Sequence, residues 1–389
     1  MKKIILKKGK EKPLLCRHHW IFSGAVLNAP KLSPGELVEV YSSEDELLGV
    51  AYTNPEGSLF ARMLSFGSLD WTDALDKAIE DAVDLRKLLF CDDKTNAYRL
   101  INGEGDRIPG LIVDRYGDHL CIQIGTKGID LIKTKIIDLL LKHMPKIKCI
   151  YEKSDLPTRA QESLLPVNEV LYGTINKELV AKENSNLFSI DMVEGQKTGF
   201  FLDQREMRNI IGSLAKDKSL VNCFSYSGGF SIYALKAGAK KVRSVDISKK
   251  ALDNLEQNLS LNNLSKERHE SICMDVFNFL KTDSLQDDIV ILDPPAFAKK
   301  KQDINNACRG YKEINRTALS KMKKGSILLT ASCSYHVDEN LFQQVLFQAA
   351  AEAKRNVKII SKHHLASDHP INIFHPEGSY LKSFILFVQ

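Results

Sequence analysis

The sequence predicts an α/β protein whose C-terminal half is a Rossmann-like, doubly wound domain with a seven-stranded sheet. From about residue 219, short apolar segments alternate with segments of helical spacing, which is typical of β-α-β units. Five of these apolar segments end in glycine, acidic or cysteine residues. No clear helix separates the last two segments, which favours an antiparallel final pair. The predicted strands are residues 219–222, 242–246, 271–275, 288–293, 326–331, 356–361 and 383–388.

Two smaller parts precede this sheet. Residues 1–70 contain short apolar segments punctuated by turn residues, and they predict a small β-barrel. Residues 71–190 begin with a helix to about Phe90 and contain a hairpin over 110–124. This pattern predicts a small central α/β domain, and the Rossmann-like domain then occupies 191–389.

Composition and charge exclude several classes of protein. A hydrophobic content of 43% and a charged content of 26% over 389 residues are typical of a globular protein. No apolar run reaches the roughly 18–20 residues that span a bilayer, and no signal peptide is recognisable, so we expect a cytoplasmic protein. The eight cysteines form no CxxC pair, which disfavours disulfides and structural zinc. The spacing of His363, His364, His369 and His375 matches no ligand set, so we expect no metal.

A glycine-containing loop follows the first strand of the predicted sheet, over residues 222–230. Ligands of open parallel sheets bind beyond the carboxyl ends of the strands, where such loops meet. The loop lacks the Gly-x-Gly-x-x-Gly pattern that binds a pyrophosphate. Asp246 ends the next strand, where a carboxylate can accept both hydroxyls of a ribose. A cofactor with a ribose and no phosphate fits this pattern, and S-adenosylmethionine is such a molecule, with Asp275 near its adenine amine.

The fourth predicted strand ends in Asp293-Pro294-Pro295, the sharpest local motif of the chain. The prolines stiffen the loop and hold the Asp293 carboxylate towards the crevice. A carboxylate in that place can bind an amine or a ring nitrogen of a flipped base, and Phe297 is close enough in sequence to stack on it. We therefore interpret this loop as a base-binding element.

Cys333 follows the fifth predicted strand, and its thiol narrows the range of reactions that the site could catalyse. The C5 atom of a pyrimidine is a poor nucleophile, and a thiolate that adds to C6 makes C5 reactive enough to attack a sulfonium methyl group. Taken alone, a cysteine at a strand end is more often a core residue. Because Cys333 follows the glycine loop, the two acids and the Asp-Pro-Pro motif in order, we interpret it as a nucleophile.

Several long motifs occur in order along the chain, at residues 19–24, 105–116, 195–205, 310–315 and 375–382. They resemble the large-subunit ribosomal RNA cytosine-C5 methyltransferases of the RlmI family, and the resemblance covers nearly the whole chain. It implies S-adenosylmethionine as cofactor and an N-terminal PUA domain, an RNA-binding barrel, over residues 1–70. One departure is His19, which stands where that family usually has proline.

The resemblance also implies roles for individual residues. Cys333 would be the nucleophile, and Asp293 would contact both the base and the cofactor. The neighbourhood of Asp293 carries no second cysteine, so product release would need another base. The cofactor contacts implied by the resemblance are Phe224, Ser225, Gly228, Gly229, Asp246, Asp275 and Asp293, with Lys197, Asp203 and Gln204 near the cofactor.

The expected partner is 23S ribosomal RNA or a precursor of the large subunit. The basic cluster Lys299-Lys300-Lys301 follows the predicted base-binding loop, where it could meet RNA phosphate. The sequence leaves a monomer and a homodimer open. Two other functions also stay open: an RNA amino- or ring-nitrogen methyltransferase that leaves Cys333 without a role, and a non-catalytic RNA-binding assembly factor.

Overall fold

The computed structural model describes residues 1–298 and 300–389, so Lys299 of the predicted basic cluster lies outside the described residues. No helix within those two ranges is long and apolar enough to cross a membrane. The described residues form two compact units. The first unit comprises Met1–Asn184, Ile190–Leu202 and Ser367–Gly378, and the second comprises Ser185–Ser189, Asp203–Ala366 and Ser379–Gln389.

The first unit begins with a six-stranded sheet. Its elements are β1 (Lys2–Leu6), α1 (Lys12–Leu15), β2 (Trp20–Phe22), β3 (Val26–Asn28), β4 (Leu37–Tyr41), β5 (Leu47–Thr53) and β6 (Leu59–Phe66). The strand order is β2-β6-β5-β4-β1-β3, and only the β1–β4 pair is parallel. Alternate residues such as Ile4, Leu6, Val38 and Val40 are fully buried, as expected of strands with one face on a core.

A second, five-stranded sheet completes most of the first unit, in the order β11-β10-β9-β8-β7. The predicted hairpin forms, and Gly117 with φ +62° makes its turn. Two short helices follow the hairpin, and they are separated at Ile132. The elements are α2 (Trp71–Leu89), β7 (Ala97–Asn102), β8 (Leu111–Tyr116), β9 (His119–Ile124), α3 (Lys127–Leu131), α4 (Lys133–His143), β10 (Cys149–Ser154), β11 (Val167–Gly173) and β12 (Val180–Glu183).

A buried ion pair fixes α2 to the rest of the first unit. The guanidinium of Arg86 donates to both carboxylate oxygens of Asp106, at 2.5 and 2.8 Å, and both side chains are buried. The same guanidinium donates to the carbonyl oxygens of Arg99, at 2.8 Å, and Asp368, at 2.7 Å. Removing one partner of such a pair leaves an uncompensated buried charge.

The second unit contains the predicted seven-stranded sheet, in the order β16-β15-β14-β17-β18-β20-β19. The elements are β13 (Asn186–Ser189), α5 (Arg205–Leu214), β14 (Ser219–Cys223), α6 (Gly229–Lys236), β15 (Lys241–Asp246), α7 (Lys249–Leu261), β16 (His269–Cys273), α8 (Val276–Thr282), β17 (Ile289–Leu292), α9 (Ile304–Lys321), β18 (Ile327–Ser332), α10 (Glu339–Glu352), β19 (Val357–His363) and β20 (Lys382–Val388).

The pairing of this sheet confirms the predicted Rossmann-like fold. β14 to β18 pair in parallel, and β20 is antiparallel to both β18 and β19, as the missing helix between the last two strands indicated. The central strand β17, Ile289-Val290-Ile291-Leu292, is apolar throughout because helices cover both faces of the sheet, and Val221, Val290, Leu292 and Leu328 are fully buried.

Candidate active site

The crevice of the second unit lies where the strand order reverses. β14 and β17 are hydrogen-bonded neighbours, although β15 and β16 come between them in sequence. The loops that leave the carboxyl ends of β14 and β17 therefore diverge and leave room for a ligand between them. Four neighbouring strands, β14, β15, β17 and β18, end in predicted site residues. These are the loop 224–229, Asp246, Asp293 and Cys333.

The loop between β14 and α6 has an unusual backbone. Phe224, Tyr226 and Gly228 all have positive φ, at 60°, 47° and 81°. Such a conformation is strained for residues with a side chain and clusters at functional sites. A Cβ atom at Gly228 would lie 2.4 Å from Cγ of the buried Leu255, so only glycine fits there without a shift. The close approach of this loop to α7 explains its glycine.

Buried oxygen atoms without a partner accompany this loop. Ser225 Oγ, Ser227 Oγ and Asn222 Oδ1 are buried and have no hydrogen-bond partner within the described chain. The amide nitrogen of Asn222 donates to Ser231 Oγ at 2.9 Å, so the orientation of its side chain is fixed. Buried polar atoms normally have partners. These atoms therefore fit a ligand that brings hydroxyl or ammonium donors, as S-adenosylmethionine does.

Asp246 ends β15 beside this loop. Its Oδ2 accepts a hydrogen bond from the backbone N–H of Tyr226 at 2.9 Å, and its Oδ1 accepts one from Ser248 N–H at 2.9 Å. The carboxylate is only half-buried. Each carboxylate oxygen has two lone pairs, so Asp246 keeps the capacity to accept ligand hydroxyls while it fixes the loop.

Asp275 has a structural role that the sequence prediction did not give it. The predicted strand 271–275 ends two residues earlier, at Cys273, and Asp275 is the N-cap of α8. Its carboxylate accepts from Asn278 N–H at 3.0 Å. Asp275 therefore begins the helix, as a short acidic side chain does well. Its contact with adenine stays a prediction.

The structure brings Gln204 and Asp293 together, although 89 positions separate them in sequence. Gln204 Nε2 donates to Asp293 Oδ1 at 3.0 Å, while Gln204 Oε1 is buried without a hydrogen-bond partner among the described residues. Asp203 is buried, and its Oδ2 accepts from the hydroxyl of Tyr380 at 2.7 Å. All these residues belong to the second unit.

Two other predictions fall in the first unit. The ammonium of Lys197 lies 4.4 Å from the ring centre of Phe201, and the predicted cofactor contact of this lysine stays a prediction. Donor atoms of His18, His375 and Glu377 lie within 4.8 Å of one another. His18 Nδ1 accepts from Trp20 N–H at 3.2 Å, and His18 Nε2 lies 3.3 Å from Glu377 Oε1. Both contacts of His18 are hydrogen bonds. The predicted absence of a metal stays a prediction.

Cys333 lies directly beside the Asp-Pro-Pro loop. Its thiol is half-buried and donates to the carbonyl oxygen of Pro294, with 3.7 Å between Sγ and O. Phe297, the aromatic residue predicted to stack on a base, packs against Tyr311 with 4.6 Å between ring centres. The thiol and the stiffened loop thus meet at the carboxyl ends of β17 and β18.

Lys382, a buried lysine on β20, was not among the site residues predicted from the sequence. Its Nζ donates to the carbonyl oxygens of Ser334 and Tyr380, both at 2.7 Å. Burial lowers the pKa of the ammonium to about 8, while negative charge at Cys333 and Asp338 acts in the opposite direction. In the sequence, its position in the motif at 375–382 was the only indication of a role. The spacing of residues in that motif does not predict any chemical function for a lysine.

The fold and this crevice define a class I methyltransferase that uses S-adenosylmethionine. The sequence model of the S-adenosylmethionine-dependent methyltransferase family matches residues 167–364, and that of the PUA-like domain matches residues 4–66. The chain is 42% identical to ribosomal RNA large subunit methyltransferase I of Vibrio vulnificus over 391 residues, which cover 98% of each chain. The chain belongs to the family of ribosomal RNA large subunit methyltransferase I.

Two solved structures have the same fold over the whole chain. A candidate S-adenosylmethionine-dependent methyltransferase from Streptococcus mutans superposes with a TM-score of 0.84 at 26% identity and covers 99% of this chain and 100% of its own. A candidate methyltransferase in complex with S-adenosylhomocysteine superposes with a TM-score of 0.85, with the same identity and coverage.

Proposed function

We propose that this enzyme methylates C5 of a cytosine in 23S ribosomal RNA through a covalent bond between Cys333 Sγ and C6 of the base. The observation that carries the proposal is the position of the thiol, 3.7 Å from the Pro294 carbonyl oxygen in the crevice that holds Asp246 and Asp293. Similarity to a relative named as a ribosomal RNA large subunit methyltransferase supports the substrate class.

The thiolate of Cys333 activates C5 of the base. Its electron pair forms the Sγ–C6 bond, and the C5–C6 double bond opens so that its electrons move to C5. Bound S-adenosylmethionine would supply an electrophilic methyl group on a sulfonium. The electron pair on C5 would form the bond to that methyl group while the bond from methyl to sulfur breaks, and S-adenosylhomocysteine would leave. A base then removes the proton from C5, the double bond re-forms, and Sγ leaves as a thiolate. Cys333 is therefore regenerated unchanged.

Asp293 and Gln204 orient the base in this proposal. The hydrogen bond from Gln204 Nε2 holds one carboxylate oxygen of Asp293, which restricts the rotation of that side chain. A carboxylate held in this way accepts a hydrogen bond from the exocyclic amine of cytosine and places C6 over the thiol. Asp246, Phe224, Ser225, Gly228 and Gly229 then hold the cofactor; Asp203, Lys197 and Asp275 remain further predicted contacts.

RNA recognition is assigned to the PUA-like domain and to exposed lysines such as Lys300 and Lys301. Phosphate contacts release counterions, so the affinity for RNA should fall steeply with salt. Ribosomal RNA as the substrate implies that the enzyme acts in the cytoplasm.

The modified nucleoside tests the proposal. The purified enzyme would be given 23S ribosomal RNA from cells that lack it, with labelled S-adenosylmethionine, and the RNA would be digested to nucleosides. Labelled 5-methylcytidine is expected. An N-methylated nucleoside would establish the amine alternative, and cofactor binding without any labelled product would establish an assembly factor.

Two cysteine variants complete the design. Cys333→Ser should lose essentially all turnover and retain cofactor binding, because a hydroxyl is scarcely ionised at neutral pH. Cys308→Ser is the matched control, since Cys308 is a half-buried thiol of the same unit on α9. Cys308→Ser should keep near-normal turnover, and equal losses in the two variants would contradict the role of Cys333.

A further inference from the structure

The backbone next to Cys333 is held from three sides through Ser334. Ser334 is fully buried, and its hydroxyl oxygen accepts a hydrogen bond from Ala298 N–H at 3.0 Å. The hydroxyl groups of Ser334 and Tyr311 are 2.9 Å apart. The carbonyl oxygen of Ser334 accepts from Lys382 Nζ at 2.7 Å. The loop that carries the thiol is thereby tied to the loop after β17, to α9 and to β20.

Lys382 is the charged residue among the hydrogen-bond partners of Ser334. It pairs across the sheet with Ser332, the last residue of β18, and is 3% exposed. Lysine is rarely so buried unless its ammonium is paired. The carbonyl oxygens of Ser334 and Tyr380 accept hydrogen bonds from two of its N–H groups, and a carbonyl oxygen does not require a cationic donor. The burial of a charge at this place therefore points to a function beside the thiol.

Two negative groups act on the charge of Lys382. Negative charge at Cys333 and Asp338 favours its ammonium form, against the burial that lowers its pKa to about 8. Tyr311, on α9, is a further titratable group beside Cys333, and burial together with charge at Cys333 raises its pKa, so it stays neutral. At neutral pH, the ammonium of Lys382 is therefore a positive charge that acts on a thiolate at Cys333. Coulomb attraction is mutual, so the ammonium stabilises that thiolate.

We propose that Lys382 is a positioning residue for Cys333, which fixes the loop of the thiol through the Ser334 carbonyl and stabilises the thiolate with its positive charge. When the thiolate forms, the Sγ–H bond breaks, its electrons stay on Sγ, the proton passes to water, and Lys382 keeps its own protons. The inference rests on the proposed function in taking Cys333 as the nucleophile.

Peptide-resolved alkylation of the full-length enzyme tests this without RNA. The rate at which iodoacetamide modifies each cysteine would be measured between pH 5 and pH 10, and the pH midpoint would be determined for Cys333. Cys308 is the internal reference, because burial raises the pKa of its thiol. The midpoint of Cys333 should lie below that of Cys308 in the wild-type enzyme.

Two variants separate charge from structure. Lys382→Met should raise the midpoint of Cys333 by about one pH unit and slow its alkylation at pH 7 about tenfold, with that of Cys308 unchanged. Lys382→Arg keeps the charge and should restore most of the rate. S-adenosylhomocysteine affinity reports whether each variant is folded.

Three outcomes would overturn the role of Lys382. These are a wild-type Cys333 midpoint at or above that of Cys308, an unchanged midpoint in folded Lys382→Met, or no recovery in folded Lys382→Arg. The first needs no variant, so it stays decisive even if Lys382→Met does not fold. None of these outcomes bears on the nucleoside product, so failure of this inference is distinguishable from failure of the proposed function.

Discussion

Replacing Gly228 by alanine should weaken the binding of S-adenosylhomocysteine by at least about tenfold, or 1.4 kcal/mol. The residue has φ +81°, and left-handed backbone costs a residue with a Cβ roughly 1–2 kcal/mol. The new Cβ would also lie 2.4 Å from Cγ of Leu255, which is fully buried and cannot swing into solvent. Overpacking of that kind adds roughly 1–3 kcal/mol. The loop can relieve the strain only by moving away from its binding geometry.

Gly325 provides the matched control in the same unit. It has φ +85°, and a Cβ there would meet nothing within 4 Å. Gly325→Ala should therefore lower the free energy of unfolding by about 1–2 kcal/mol, which is the cost of left-handed backbone alone. Its affinity for S-adenosylhomocysteine should stay unchanged. Calorimetric binding and urea unfolding of both variants separate the two contributions. The reasoning is refuted if Gly228→Ala binds as the wild type does and is destabilised no more than Gly325→Ala.

Three further predictions follow from single side chains. Asp246→Asn should lower affinity for S-adenosylhomocysteine about ten- to a hundredfold by calorimetry, because it removes the charge from hydrogen bonds worth roughly 1.5–3 kcal/mol each; unchanged affinity would contradict this. Arg86→Met should destabilise the first unit by about 3–5 kcal/mol in urea unfolding, since Asp106 is left buried and unpaired. Burial, with smaller repulsion from His375, His18 and Arg107, lowers the pKa of His19 from 6.5 to about 3. The unfolded chain then binds the extra proton between these values, so the wild type should lose about 2 kcal/mol from pH 8 to pH 5, and His19→Asn should lose less.

The fold was predictable because its signals are local. Alternation of apolar strands with amphipathic helices identified the seven strands of the second unit, and the missing helix identified the antiparallel pair at the end. Short strands such as β1 to β3 were missed, since three to five residues carry too little periodicity. Asp275 was misjudged as a strand end for a related reason: an acid after an apolar segment begins a helix as readily as it ends a strand.

The site was predictable only in part because its contacts are long-range. Asp246 ends a strand and Cys333 follows one, so both could be assigned by position. The hydrogen bond between Gln204 and Asp293 joins two chain segments that no sequence pattern relates. In the sequence, nothing distinguishes Lys382 from other lysines that precede an apolar strand. Only the pairing of β18 with β20 buries it beside the thiol. Three-dimensional packing, rather than residue type, makes Lys382 a candidate positioning residue for Cys333.

A covalent adduct with RNA is the most direct test of the mechanism. RNA containing 5-fluorocytosine would be incubated with S-adenosylmethionine and either the wild-type enzyme, Cys333→Ser or Cys308→Ser. Fluorine at C5 cannot leave as the proton does, so the Sγ–C6 bond should persist in the wild type and in Cys308→Ser and be visible on a denaturing gel, with the modified peptide containing Cys333. Cys333→Ser should give no adduct. Full methylation of ordinary RNA by Cys333→Ser, with no adduct in the wild type, would contradict the account.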